Sequence, residues 1–117
     1  MTSLVRVDEE WHGDLPVAHI NGEVDVSNVD EVGVALWRLV TNRALGLVID
    51  LSATSYLDSA GINLLFAVGE QLRVHQQTLH LVVAEGTPIA RMVAVTSLDR
   101  AFPTHPVLAD ALVGNET

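Results

Sequence analysis

The sequence predicts an α/β fold: a single domain over residues 1–117, with a mixed β-sheet of about four to five strands covered by about four helices. Three observations predict it. The runs LGLVIDL (Leu45–Leu51) and LHLVVA (Leu79–Ala84) are apolar with almost no alternation, and a strand apolar on both sides is covered on both sides, as in a parallel sheet. The intervening segments repeat their apolar residues at helical spacing. A chain of 117 residues also suffices for one hydrophobic core and falls short of two.

Taken in order, Leu4–Asp8 alternates as a half-exposed strand should, and Val17–Val24 can pair with it across a turn at His12–Asp14, which makes an antiparallel hairpin. Ser27 offers an N-cap to a first helix. Asp30 holds the capping-box position, Glu31 adds first-turn charge, and Val29, Val32, Leu36, Leu39 and Val40 share a face that runs to about Thr41. After the central strand Leu45–Leu51, a second helix begins near Ser59 and ends near Gln76. Its stripe is Ile62, Leu65, Phe66 and Leu72, with Gly69 on the same side so that the helix can lie close to the sheet. Leu79–Ala84 is a second buried strand. Thr87 and Pro88 supply a cap and an N1 proline for a third helix carrying Ile89, Met92 and Val93. Beyond Leu98, the prolines of DRAFPTHP suit a short edge strand around Phe102, and Val107–Val113 reads as a short amphipathic helix closed by Gly114.

Composition narrows the chemistry. Hydrophobic residues make up 49% and aromatic ones 4%, so the core must be aliphatic. All six basic residues are arginines against fifteen acidic ones, a net charge of −9 that argues against a surface for nucleic acid. Without cysteine there are no disulfides, thiolate metal sites or thiol switches. The start of the chain lacks an apolar leader, and no run reaches the roughly 18 apolar residues of a membrane span, so a cytoplasmic protein is expected. His12, His19, His75, His80 and His105 lack metal-ligand spacing, and His80 in a buried strand reads as a packed core residue. No metal or cofactor is expected. Trp11 and Trp37 read as packing groups, though a tryptophan exposed on the first helix would suit an interface.

The functional signal is LDSAGINLLF (Leu57–Phe66), where a small hydroxyl sits at the start of a helix. A helix N-terminus offers unpaired N–H groups and the positive end of the macrodipole, and Ala60 and Gly61 leave those groups uncovered. Asp50, ending the central strand, and Asp25, ending the second, are expected at the same carboxyl end of the sheet. On its own, either Asp58 or Ser59 reads as an N-cap worth about 1 kcal/mol. The roles can coexist, with Asp58 capping and Ser59 presented outward. Asp25 and Asp50 alone read equally well as strand-end turn formers. Ser52, Thr54 and Ser55 are rival hydroxyls in a turn that lacks the helix dipole. An enzyme is not expected: Leu57 stands where a nucleophile elbow needs its first glycine, and phosphate-loop and dinucleotide fingerprints are missing.

GEVDVSN (Gly22–Asn28), IDLSATSYLDSAGI (Ile49–Ile62) and LHLVVAEGTPIARMV (Leu79–Val93) together resemble the STAS domain, and within it the anti-sigma factor antagonists. The resemblance covers nearly the whole chain. It implies that Ser59 is the serine phosphorylated by a kinase that is itself the anti-sigma factor, and that Asp25 and Asp50 are the acidic positions around it. Asp25, Asp50, Asp58, Ser59, Ala60 and Gly61 would then meet the partner, with an anti-sigma factor serine kinase and a PP2C-type phosphatase as the proteins implied. Family members often carry a serine after the phosphorylated one; Ala60 stands there instead. An alternative within the same fold is a non-enzymatic STAS subunit of a lipid-transport or sensory complex.

Overall fold

The expected hairpin forms the start of the sheet: β1 (Val5–His12) runs antiparallel to β2 (Leu15–Val24), with Val5 opposite Gly22 and His12 opposite Leu15. The computed structural model describes residues 5–40 and 45–113; Leu4, Thr41 and Gly114, expected at element ends, lie outside them. The chain continues through α1 (Val29–Leu39), β3 (Gly46–Asp50), β4 (Thr54–Leu57), α2 (Ser59–Val74), β5 (Thr78–Val82), α3 (Pro88–Val95), α4 (Leu98–Ala101), β6 (Thr104–His105) and α5 (Leu108–Val113). The sheet order is β1-β2-β3-β5-β6, and β4 also pairs with β2. Every pairing after the hairpin is parallel.

Strands β3 and β4 occupy one edge of β2 end to end, because β1 fills the other edge as far as Gly22. Val17, Ala18 and His19 pair with Val48, Ile49 and Asp50, and then Gly22, Glu23 and Val24 pair with Thr54, Tyr56 and Leu57 across a register shift. A tight turn links the two, with the Thr54 amide donating to the Leu51 carbonyl at 3.1 Å. Thr54 and Ser55 thus belong to a strand where the sequence suggested only a turn. Thr54 is buried, and its hydroxyl donates to the Ile20 carbonyl at 2.7 Å.

Side-chain alternation divides the core between the two faces of the sheet. Ala18, Ile20, Leu47, Ile49, Leu79 and Leu81 join the apolar faces of α1, α2 and α3 in the larger cluster. Leu15, Val17, Val48 and Val82 meet Ala111 of α5 on the other face. Gly69 lies close to a ring where the sheet was expected: a Cβ there would stand 2.2 Å from Phe102 Cζ. Thr87 caps α3 as expected, accepting from the Ala90 amide at 3.2 Å. His80 packs against β6, its Nδ1 3.1 Å from His105 Nε2. Trp11 and Trp37 do not pack into the core; 47% and 40% of their surfaces stay exposed.

Candidate functional site

The site forms where β2 and β4, lying side by side and parallel, release the chain into α1 and α2. Val24 is opposite Leu57, so the two loops leave the sheet as neighbours. Asp58 holds them together. One carboxylate oxygen, Oδ1, caps α2 by accepting from the Gly61 amide at 3.0 Å, and Oδ2 accepts from the Val26 amide across the loops at 3.0 Å. With Asp58 so engaged, Ser59 is the first residue of a 16-residue helix and is exposed to solvent. Capping and presentation are thus divided between neighbouring residues, as the sequence suggested.

The β2–α1 loop has its own internal frame. Asn28 is buried and is the N-cap position of α1, but its side chain makes no capping bond. Instead its Oδ1 accepts from the Asp25 amide at 3.0 Å and its Nδ2 donates to the Glu23 carbonyl at 2.9 Å. Ser27 is not the cap either: its hydroxyl and amide both donate to Asp25 Oδ1. These bonds, the Ser27 hydroxyl first, hold the Asp25 carboxyl below its ordinary pKa. The signal for Asn28 was its amide, whose separate oxygen and nitrogen can accept from one backbone group and donate to another.

Asp50 is elsewhere. It pairs with His19, five positions before Val24 on β2, a separation of roughly 16 Å at strand rise. Its side chain shares the sheet face of Val48, opposite the face covered by α2. There Oδ2 lies 2.7 Å from His19 Nδ1, while Oδ1 accepts from the Ser52 amide and hydroxyl at 3.0 and 2.6 Å. His19 Nε2 in turn faces Glu10 Oε1 at 2.7 Å. Burial by itself would lower the His19 pKa, but these two carboxylates raise it on balance, since both ring nitrogens must carry protons to satisfy both. The expectation that Asp50 neighbours Ser59 is corrected: a parallel strand's end marks the site only when no further strand continues the same edge, and here β4 does.

Gly61 is also corrected. It is buried, and a Cβ on it would stand 3.2 Å from both Leu57 Cδ2 and Val24 Cγ1, so it faces the core and not a partner. Of the sequence-predicted residues, the structure gathers Asp25, Asp58, Ser59, Ala60 and Gly61 at one end of the sheet.

Two grooves flank this end. One, of about 520 Å³, lies between α2 and α3, is lined by Tyr56, Ile62, Phe66 and Met92, and has Asp58 and Ser59 on its rim. The other, of about 440 Å³, lies between α1 and α2. Asn63, one helical turn beyond Ser59, lines both. Its position four residues on was the available sequence signal; Tyr56 and Met92, which come from other elements, had none.

The STAS domain model matches residues 6–111. The anti-sigma-F factor antagonist RsfB of Mycobacterium tuberculosis is 34% identical over 103 residues, covering 88% of this chain and 83% of that protein. The crystal structure of an anti-sigma factor antagonist from Mycobacterium paratuberculosis superposes with a TM-score of 0.84 at 31% identity, over 94% of this chain and 92% of that one. A putative anti-sigma factor antagonist from Thermotoga maritima shares the fold, with a TM-score of 0.81 at 16% identity over 92% of each chain. The chain belongs to the STAS domain family, on its anti-sigma factor antagonist branch. Among the described residues, no helix is long and apolar enough to cross a membrane.

Proposed function

We propose that this protein is a partner-switching regulator whose unmodified form binds an anti-sigma factor kinase and so frees a sigma factor, and whose phosphorylation at Ser59 ends that binding. The observation that carries the reading is the division of labour at the start of α2: Asp58 satisfies the helix end, leaving the Ser59 hydroxyl exposed and uncommitted to capping. In the transfer, Ser59 Oγ attacks the γ-phosphorus of ATP held by the kinase. The bond to the ADP oxygen breaks, and the hydroxyl proton passes to a base of the kinase.

The product is compatible with the folded domain, because a phosphate at a helix N-terminus meets the positive end of the macrodipole. It is incompatible with the complex. Phosphoserine brings about −1.5 to −2 charge and a hydrated group into a contact that had accepted a hydroxyl, opposite a nucleotide that is itself polyanionic. A loss of about 2.7 kcal/mol lowers affinity a hundredfold, enough for a switch without refolding. Removal of the phosphate by a PP2C-type phosphatase resets the protein.

The test is incubation with ATP and the purified anti-sigma-F factor of M. tuberculosis, the class of partner in the relative's name, followed by peptide mass spectrometry and a binding titration. Wild-type protein should acquire one phosphate, on Ser59, and lose affinity. Ser59→Ala should acquire none and still bind. Phosphate on Ser52 or Ser55 in the wild-type protein would assign the switch to another hydroxyl.

A further inference from the structure

We infer that the groove between α1 and α2 seats a second segment of the same anti-sigma factor, one carrying apolar side chains and a cationic residue at the end nearest Ser59; this rests on the function proposed above. The groove's wall is apolar where solvent would ordinarily select polar residues. On α1, Val34 is 52% exposed and Trp37 40% exposed, and both line it. Gly33 keeps the floor low, since a Cβ there would already touch Leu64 Cδ1 at 3.4 Å. A part-exposed tryptophan beside a shallow apolar floor is the kind of group that anchors protein interfaces.

Charge selects the occupant and its direction. Among the described residues lining the two grooves, the charged ones are Asp30 and Asp58, both acidic, in a chain of net charge −9. Both helices start at the carboxyl ends of neighbouring parallel strands, so Asp30 and Ala60 share the Ser59 end of the groove, and Trp37 lies about 10 Å further along α1. The arginine of α1, Arg38, is in its last turn, at the opposite end. A bound segment therefore places its cation toward Asp30 and its apolar side chains over Val34, Trp37 and Leu64. Through Ala60 and Asn63 the seat is continuous with the Ser59 surface, so one partner can cover both.

The test measures binding of the purified M. tuberculosis anti-sigma-F factor to wild type, Val34→Glu, Trp37→Ala, Asp30→Lys and Val113→Glu. Val113, exposed on α5 across the sheet, serves as the control, and thermal melts confirm that each variant is folded. The expected result is a loss of about tenfold or more for Val34→Glu and Trp37→Ala, none for Val113→Glu, and a loss for Asp30→Lys that shrinks at high salt as screening shortens. Wild-type affinity in Val34→Glu and Trp37→Ala, with Ser59 still phosphorylated, overturns the groove and leaves the function standing. No binding by the wild-type protein removes both. A wild-type dimer in sedimentation that Val34→Glu converts to monomer assigns the groove to a second copy of the chain and also overturns the proposal.

Discussion

At Gly61 a single hydrogen atom in place of a side chain lets the first turn of α2 sit directly on Val24 and Leu57, the last residues of β2 and β4. Two opposing effects govern its replacement. Alanine gains about 1 kcal/mol in helix propensity and meets contacts only a few tenths of an ångström tight, so Gly61→Ala should melt near wild type. Valine forces two more methyl groups into the same space at a cost of about 1–3 kcal/mol. Gly61→Val should lower Tm by several degrees, and an unchanged Tm would show that the helix can lift away freely. At this scale the sequence conveyed the Asp58 cap and missed the direction in which Gly61 faces. The Asp58-Ser59 order was readable because capping chemistry is local, acting over three residues. Which side of the helix Gly61 faces depends on the angle at which β4 delivers the chain, and that angle is fixed by Leu57 packing against the sheet.

Among the elements, β3 and β5 leave no room for a side chain where Gly46 is opposite Thr78: a Cβ on Gly46 would stand 2.0 Å from the Thr78 carbonyl oxygen. The obstacle is backbone, so it cannot rotate aside, and the two central strands would have to separate. Gly46→Ala should cost about 3 kcal/mol, at the upper end for overpacking. Urea titration should show a lower midpoint with an unchanged slope, because the surface exposed on unfolding is the same. The central strands were legible because strands covered on both faces are written as unbroken apolar runs. Strand β4 was not: from Thr54 to Leu57 its burial runs buried, exposed, exposed, buried, without the alternation that announces a strand. The cause is the register shift at which Gly22 pairs with Thr54 and Glu23 with Tyr56, passing over Ser55, and the partner strand β2 lies three elements upstream in the chain. Short α4 was missed because its four residues are too few to show a helical period, and Ser97, its N-cap, lies in the left-handed region and makes no side-chain capping bond.

Across the whole molecule, two histidines on the α5 side of the sheet give stability opposite dependences on pH. His19 is clasped between Glu10 of β1 and Asp50 of β3, with Asp8 opposite it in register and His12 bonded to the same Glu10. Its folded pKa lies above the ordinary 6.5, so its contribution is complete below about pH 6.5 and is lost as pH rises through the folded value. His80 is the reverse. Burial, then repulsion from His105, lowers its pKa, so its contribution is complete above about 6.5 and is lost as pH falls through the lower folded value. Tm should therefore peak near pH 6.5 and decline on both sides, and His19→Gln should flatten the alkaline limb alone. A profile whose alkaline limb survives that substitution would assign the decline to other groups. The parallel order that separates these histidines from Ser59 also sets the loops of β2 and β4 side by side, where the two oxygens of Asp58 fasten one to the other. The freedom of those loops is thus surrendered once, during folding. Whatever docks at Ser59 meets a surface with little conformational entropy left to lose, so the free energy of its contacts goes into affinity and not into ordering the site.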